Sequence, residues 1–147
     1  MKTDNRTIES IRQHAALAYP EECCGFLIGA FEPDGSVLVI DAAAVENSRE
    51  ERRERRYWIS PADFRHAALR AERAGYEIVG FYHSHPDHPA LPSTTDLAEA
   101  TFPGYLYAIA SVTRGTPGEI RVWSLNDDRT RFEEQPAEII ADKLKAS

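Results

Sequence analysis

Residues 77–96 read EIVGFYHSHPDHPALPSTTD, and the rest of the chain is best approached from this stretch. Glu77 to His83 is rich in β-branched and aromatic residues, the composition of a strand. Ser84 to Pro92 holds three prolines and is expected to be a loop. Ser93 to Thr101 then reads as a short helix. His83 and His85 stand one residue apart at the strand end, so alternation sends both imidazoles to the same side. Their Cα atoms are about 6.6 Å apart in an extended chain, within reach of one metal ion. Asp96 follows eleven residues after His85. Two imidazoles and a carboxylate form a common catalytic zinc set, with a fourth position left for water. A plainer reading stands beside it. Ser93-Thr94-Thr95-Asp96 is also a capping box, and paired histidines at a strand end are often only polar surface.

Outward from this stretch, apolar residues alternate with chain-breaking signals. Thr7 to Ala18 has the helical period, with Ile8, Ile11, Ala15 and Ala18 on one face. Tyr19-Pro20 ends it. Cys23 to Ala30 is a short apolar run of buried-strand type. Pro33-Asp34-Gly35 is a turn signal, and Ser36 to Val45 is its partner strand. Asn47 to Arg56 is the most charged segment, followed by a short strand at Tyr57 to Ser60. Ser60 is a candidate N-cap with Pro61 at the first helical position, opening a helix to about Ala74 that Gly75 closes. Tyr105 to Val112 is an apolar strand. Ile120 to Leu125 and Arg129 to Phe132 form a hairpin, and Pro136 to Lys145 a terminal helix. The order predicts an α/β (α+β) fold, a mixed sheet flanked by helices, in one domain over residues 1–147.

Composition narrows the function. The chain has 147 residues, 17 Lys+Arg and 24 Asp+Glu, a formal charge of −7. Folding of a chain this long buries roughly 68% of its unfolded surface, enough for a core without staples. The negative balance argues against a nucleic-acid partner held through phosphates. No apolar run reaches the ~18 residues that span a bilayer, and MKTDNRTIES lacks a signal-peptide core. Cys23 and Cys24 are adjacent, a poor geometry for a disulfide, which points to a reduced, cytoplasmic protein.

His83-Ser84-His85, the seven residues from Pro86 to Pro92, then Ser93 and Asp96 resemble without departure the motif of the JAMM (MPN-plus) metalloproteases. That motif includes an upstream Glu before a Cys-Gly pair. Pro20-Glu21-Glu22-Cys23-Cys24-Gly25 matches it, with Glu22 in the family's place. Gly80-Phe81-Tyr82 and Tyr105 to Ser111 are also similar, so the resemblance runs from about Pro20 to Val112. It implies an MPN/cytidine-deaminase-like architecture with one Zn²⁺ per chain held by His83, His85 and Asp96. It further implies that Glu22 is the general base and that Ser93 hydrogen-bonds the oxyanion. Asp96 is not expected to serve both its helix cap and the metal equally well.

The family hydrolyses the amide bond after the C-terminal Gly-Gly of ubiquitin-like proteins. The shortness of this chain resembles the compact prokaryotic members, which points to a sulfur-carrier protein as substrate. Tyr57 to Ser60 is the expected edge strand for the Gly-Gly tail. Arg49, Arg52, Arg53, Arg55 and Arg56 read either as a solvated loop or as a basic lip. His88 is expected at the rim, and His14 and His66 in structural roles. The alternative function is a non-catalytic MPN-type scaffold, against which the complete residue set argues. A zinc deaminase would need His-x-Glu and a later Pro-Cys-x-x-Cys, and the chain has neither.

Overall fold

The computed structural model describes residues 1–140. Its elements are β1 (Lys2–Thr3), α1 (Asn5–Ala18), β2 (Cys24–Phe31), β3 (Val37–Val45), α2 (Pro61–Arg73), β4 (Glu77–Pro86), α3 (Thr94–Glu99), β5 (Leu106–Thr113), β6 (Thr116–Leu125), β7 (Phe132–Gln135) and β8 (Glu138–Ile139). The strands form one sheet in the order β7-β6-β5-β4-β2-β3-β1-β8. β4 and β5 pair in parallel, as do β1 with β3 and β1 with β8, while the other neighbours are antiparallel. The expected mixed sheet flanked by helices is therefore present. Among the described residues no helix is long and apolar enough to cross a membrane.

α1 lies on one face, where Ile11 and Ala15 pack with Leu27, Val39, Val79 and Tyr82. α2 covers the other face over Phe26, Ile28, Ile78 and Phe81, with Phe64 and Phe102 packed against them. α1 starts earlier than the sequence suggests, because Asp4 rather than Thr7 caps it, accepting the Thr7 N–H at 2.8 Å. α2 starts as expected, with Ser60 Oγ accepting the Asp63 N–H at 3.1 Å.

Three expectations are corrected. Tyr57 to Ser60 joins no ladder. The Trp58 N–H is taken by the Asn47 side chain at 3.1 Å, the Trp58 carbonyl accepts from Ser48 at 2.9 Å, and the Ser60 carbonyl accepts from Phe64 in α2 at 3.0 Å. No edge strand is formed there. β4 runs on to Pro86, three residues into the expected loop, because parallel pairing with β5 continues to Val112. Glu138–Ile139, inside the expected terminal helix, pair instead as a strand with Lys2–Thr3. The remainder of that expected helix, 141–145, lies outside the described residues.

A bulge in β4 fixes the face on which the histidines emerge. Leu27 pairs with Gly80 and Ile28 with Ile78, leaving Val79 as the extra residue. Consequently Ile78 and Phe81 pack on the α2 side, although strict alternation would separate them. His83 and His85 follow the parity of Phe81. Beside the bulge, Gly80 lets β5 approach β4 closely, since a Cβ there would lie 2.2 Å from the Leu106 carbonyl oxygen. Gly80→Ala should therefore destabilise the fold by about 1–3 kcal/mol. Gly35→Ala, at a positive φ of 89° with nothing within 4 Å, should lose less. Denaturant unfolding of the two variants compares them, and equal losses would contradict this account of the β4–β5 approach.

Candidate metal centre

The β2–β4 register assembles the centre. Cys24 stands opposite His83. One step on, the Cys23 N–H donates to Ser84 Oγ at 2.8 Å and the Ser84 N–H to the Cys23 carbonyl at 3.1 Å. Continuing the antiparallel register brings Glu22 opposite His85, on the same face as Cys24 and His83. Glu21 points the other way and is exposed, whereas Glu22 is only 6% exposed.

Both imidazoles are buried. His83 Nε2 and His85 Nε2 lie 3.2 Å apart. Asp96 Oδ1 is 3.2 Å from His83 Nε2, and Asp96 Oδ2 is 3.0 Å from His85 Nε2. One donor atom from each of the three residues fits within 4.8 Å of the others. His85 Nδ1 sits 2.9 Å from the Pro89 carbonyl oxygen. A carbonyl can only accept, so Nδ1 carries a proton, which leaves Nε2, the nitrogen turned to Asp96 and His83, as the one a metal could take. The Tyr57 ring stacks on His83, with centroids 4.5 Å apart and planes at 22°.

Asp96 serves the cap and the cluster together. Oδ2 accepts the Ser93 N–H at 2.9 Å, Ser93 Oγ accepts the Asp96 N–H at 3.0 Å, and Oδ1 is turned to His83. The cap takes one lone pair of Oδ2 and leaves Oδ1 turned to His83, because a carboxylate has about four lone-pair directions on two oxygens. Ser93 Oγ uses a lone pair in this cap, so its hydrogen stays free to donate toward the exposed side.

Burial pushes the Asp96 carboxyl up, but His83, His85 and the Ser93 N–H together hold it well below the usual carboxylate range. For His85, burial works to lower the pKa and Asp96 overcomes it, so the net shift is upward. Glu22 goes the other way. Burial pushes it up to about 7, only partly offset by His83 and His85. Its Oε1 is buried without a hydrogen-bond partner. A poised carboxylate beside a nitrogen-and-oxygen donor set is what a metal-assisted proton transfer requires. Two imidazoles and one carboxylate, converging from β4 and α3, fit a zinc ion with a position to spare.

The loop between the ligands is tethered from three directions. Asp87, at φ 59°, donates its N–H to the Val112 carbonyl at 2.7 Å. Its carboxylate accepts the Arg114 N–H at 2.9 Å and the Tyr19 hydroxyl at 2.6 Å. Trp123 Nε1 donates to the Ala90 carbonyl at 3.3 Å. The prolines thus limit the loop while hydrogen bonds from α1, β5 and β6 aim it. Tyr57, Asp87 and the Pro89 carbonyl had no sequence signal pointing to this centre. His88 is exposed at the rim as expected. His14 binds the Tyr82 hydroxyl through Nδ1 at 2.7 Å, and His66 is on the surface of α2.

A cleft of about 490 Å³ opens over the centre, walled by Glu22, Arg55, Arg56, His85, Leu91 and Ser93. A groove of about 520 Å³ along Ser48–Arg52 and Trp58 touches none of Glu22, His83, His85 or Asp96. Chemistry therefore belongs to the first. Asp87→Ala should unfix the loop and weaken metal affinity about 10-fold, the lower scale for groups that orient ligands. Chelator competition on the folded variant measures this, and unchanged affinity would show that the prolines suffice.

The model of a family described as prokaryotic homologs of the JAB domain matches residues 4–126. A desampylase of Haloferax volcanii is 40% identical over 101 residues, 68% of this chain and 69% of that protein. A solution structure of a protein from Salinibacter ruber shares 46% identity with a TM-score of 0.77, covering 95% of this chain and 92% of that one. A JAB1/MPN domain protein from Archaeoglobus fulgidus, 20% identical, superposes with a TM-score of 0.61 over 96% of this chain and 100% of that one, a likeness of fold. With residues 4–126 matched, from α1 through bulged β4 and the His83–Asp96 cluster to β6, the chain belongs to the prokaryotic branch of the JAB domain family.

Proposed function

We propose that this chain, a single domain acting in the cytoplasm, is a zinc-dependent isopeptidase or peptidase. It hydrolyses the amide bond after the C-terminal Gly-Gly of a ubiquitin-like protein of sulfur-carrier type. The observation that carries the reading is the buried, unpartnered Oε1 of Glu22 beside His83, His85 and Asp96. An unpaired buried polar atom is costly, and at a reactive centre it marks a group waiting for its substrate. The 40% identical desampylase supports the substrate class.

His83 Nε2, His85 Nε2 and an Asp96 oxygen would hold the zinc. Bound there, it would supply Lewis acidity, lowering the pKa of water toward ~7 and polarising the carbonyl to be attacked. Pro89, through its carbonyl, keeps His85 in the tautomer that offers Nε2. Tyr57 packs flat on His83 and restricts its ring. Glu22 accepts the proton of the attacking water and returns it to the departing nitrogen, a task suited to a carboxyl raised toward neutrality. The Ser93 hydroxyl donates to the substrate carbonyl oxygen as negative charge builds there. Glycines at the end of the tail let its backbone approach the centre closely.

The zinc-loaded protein should contain close to one zinc per chain. His83→Ala, His85→Ala or Asp96→Ala should lose it and remain folded, by circular dichroism and metal analysis. Failure of the wild-type protein to bind zinc on reconstitution would leave the scaffold reading. Glu22→Gln preserves shape but removes the proton acceptor. It should retain zinc while turnover of a Gly-Gly-extended carrier falls at least ~10²-fold, against a mild effect of Glu21→Gln. The reverse order would move the base by one residue.

A further inference from the structure

The loop that carries five arginines is sorted by the fold into spent and unspent charges. Arg49 pairs with Glu99 at 2.7 Å. The Arg53 guanidinium folds back on the Arg49 carbonyl. Among the described residues neither Arg55 nor Arg56 has an ion-pair partner, and the Arg56 guanidinium makes one long donation, from Nη1 to the neighbouring Arg55 carbonyl at 3.4 Å, with its other donors left over. Both face the catalytic cleft on the side of Glu22.

Their position is built rather than incidental. The Glu22 N–H donates to the Arg53 carbonyl at 2.7 Å. The Asn47 side chain donates to the Glu22 carbonyl at 3.2 Å and to the Arg56 carbonyl at 3.0 Å. The backbone of the arginine loop and the backbone of Glu22 are therefore clamped to each other. Across the cleft stand Pro89 and Leu91, the latter 44% exposed. The cleft has one cationic wall and one apolar wall.

We infer that the Arg55–Arg56 wall selects a leaving group that carries carboxylates next to the scissile amide. The inference rests on the hydrolase reading above. In that reaction the water oxygen adds to the carbonyl carbon and the C–N bond breaks. One water proton travels through Glu22 to the departing nitrogen, giving a carboxylic acid and an amine, and transfer of the second proton leaves them as carboxylate and ammonium. The departing nitrogen must therefore come to Glu22, and the residues that follow it run past the neighbours of Glu22, which are Arg55 and Arg56. Two unpaired guanidiniums present planar donor forks that suit carboxylates. The chain as a whole is acidic, at −7, so an acidic partner is repelled everywhere except where local cations receive it. A basic leaving group meets like charge in the cleft, which supplies discrimination in both directions.

The test uses zinc-loaded protein and one Gly-Gly-tailed carrier, extended in peptide linkage by Glu-Glu, Gln-Gln or Lys-Lys. The wild type should cleave the Glu-Glu form with kcat/KM about tenfold above the Lys-Lys form, mainly through KM, with Gln-Gln between. Sodium chloride at high concentration should compress that ratio. Each rate is referred to Gln-Gln within the same variant, which removes any general effect on the centre. Arg55→Glu with Arg56→Glu should invert the order, and Arg55→Lys with Arg56→Lys should keep its direction. Zinc content identifies any variant that has merely misfolded, and the salt series on the wild type does not depend on the variants. Equal rates on the three forms, a Lys-Lys preference, or an unchanged ratio in the glutamate variants would overturn the inference and leave the hydrolase reading intact. No cleavage of any form by the folded, zinc-loaded wild type would instead overturn the hydrolase reading.

Discussion

The antiparallel pairing of β2 with β4 is the constraint on which the rest of the molecule depends. Backbone hydrogen bonds hold the strands about 4.8 Å apart, so the register decides which side chains meet. Cys24 opposite His83 brings Glu22 to His85, and the reciprocal bonds between Cys23 and Ser84 close the ladder there. A slip by one residue would send Glu22 to the α1 side and bring Glu21 over the histidines. Ser84 thus matters through its buried hydroxyl, although it lies between two candidate ligands and is not one itself.

From that pairing the site is completed by elements that arrive from farther along the chain. Asp96 comes on the first turn of α3 and uses its two oxygens for two purposes, capping the helix and facing the histidines. This coupling makes the helix terminus and the donor set one unit, so that neither is easily disturbed alone. The loop before it is held by Asp87 and Trp123, and it returns the favour through the Pro89 carbonyl, which sets the His85 tautomer. Glu22 is left as the one buried oxygen without a partner in this neighbourhood, among the described residues. That unsatisfied oxygen stands where reactive chemistry has use for it.

Charge follows a similar division. Within the loop before α2, Arg49 is paired with Glu99 and the Arg53 side chain folds back on the loop's own backbone, while Arg55 and Arg56 are held toward the cleft by a clamp on the backbone of Glu22. A sequence shows only the sum of such a run, +5 against −3 from Asn47 to Arg56. Which charges are neutralised depends on partners such as Glu99, which is distant in sequence.

The sequence by itself brought forward His83, His85 and Asp96 as a candidate donor set, with Ser93 beside them, because alternation in a strand and the first turn of a capped helix are local rules. It also determined the alternation of strands and helices, since the apolar periods and turn residues of the segments are local signals. Three things were decided only by tertiary structure. The bulge at Val79 and Gly80 chose the face on which the histidines emerge, which depends on how closely β4 approaches β2 and β5. Tyr57 to Ser60 has the composition of a strand, yet Tyr57 packs on His83 and Asn47 takes the Trp58 N–H, so no ladder forms. Glu138–Ile139 pair with Lys2–Thr3 across nearly the whole chain. Each of these outcomes turns on a partner remote in sequence, and a local pattern carries no record of which remote group will supply the hydrogen bond or the packing surface.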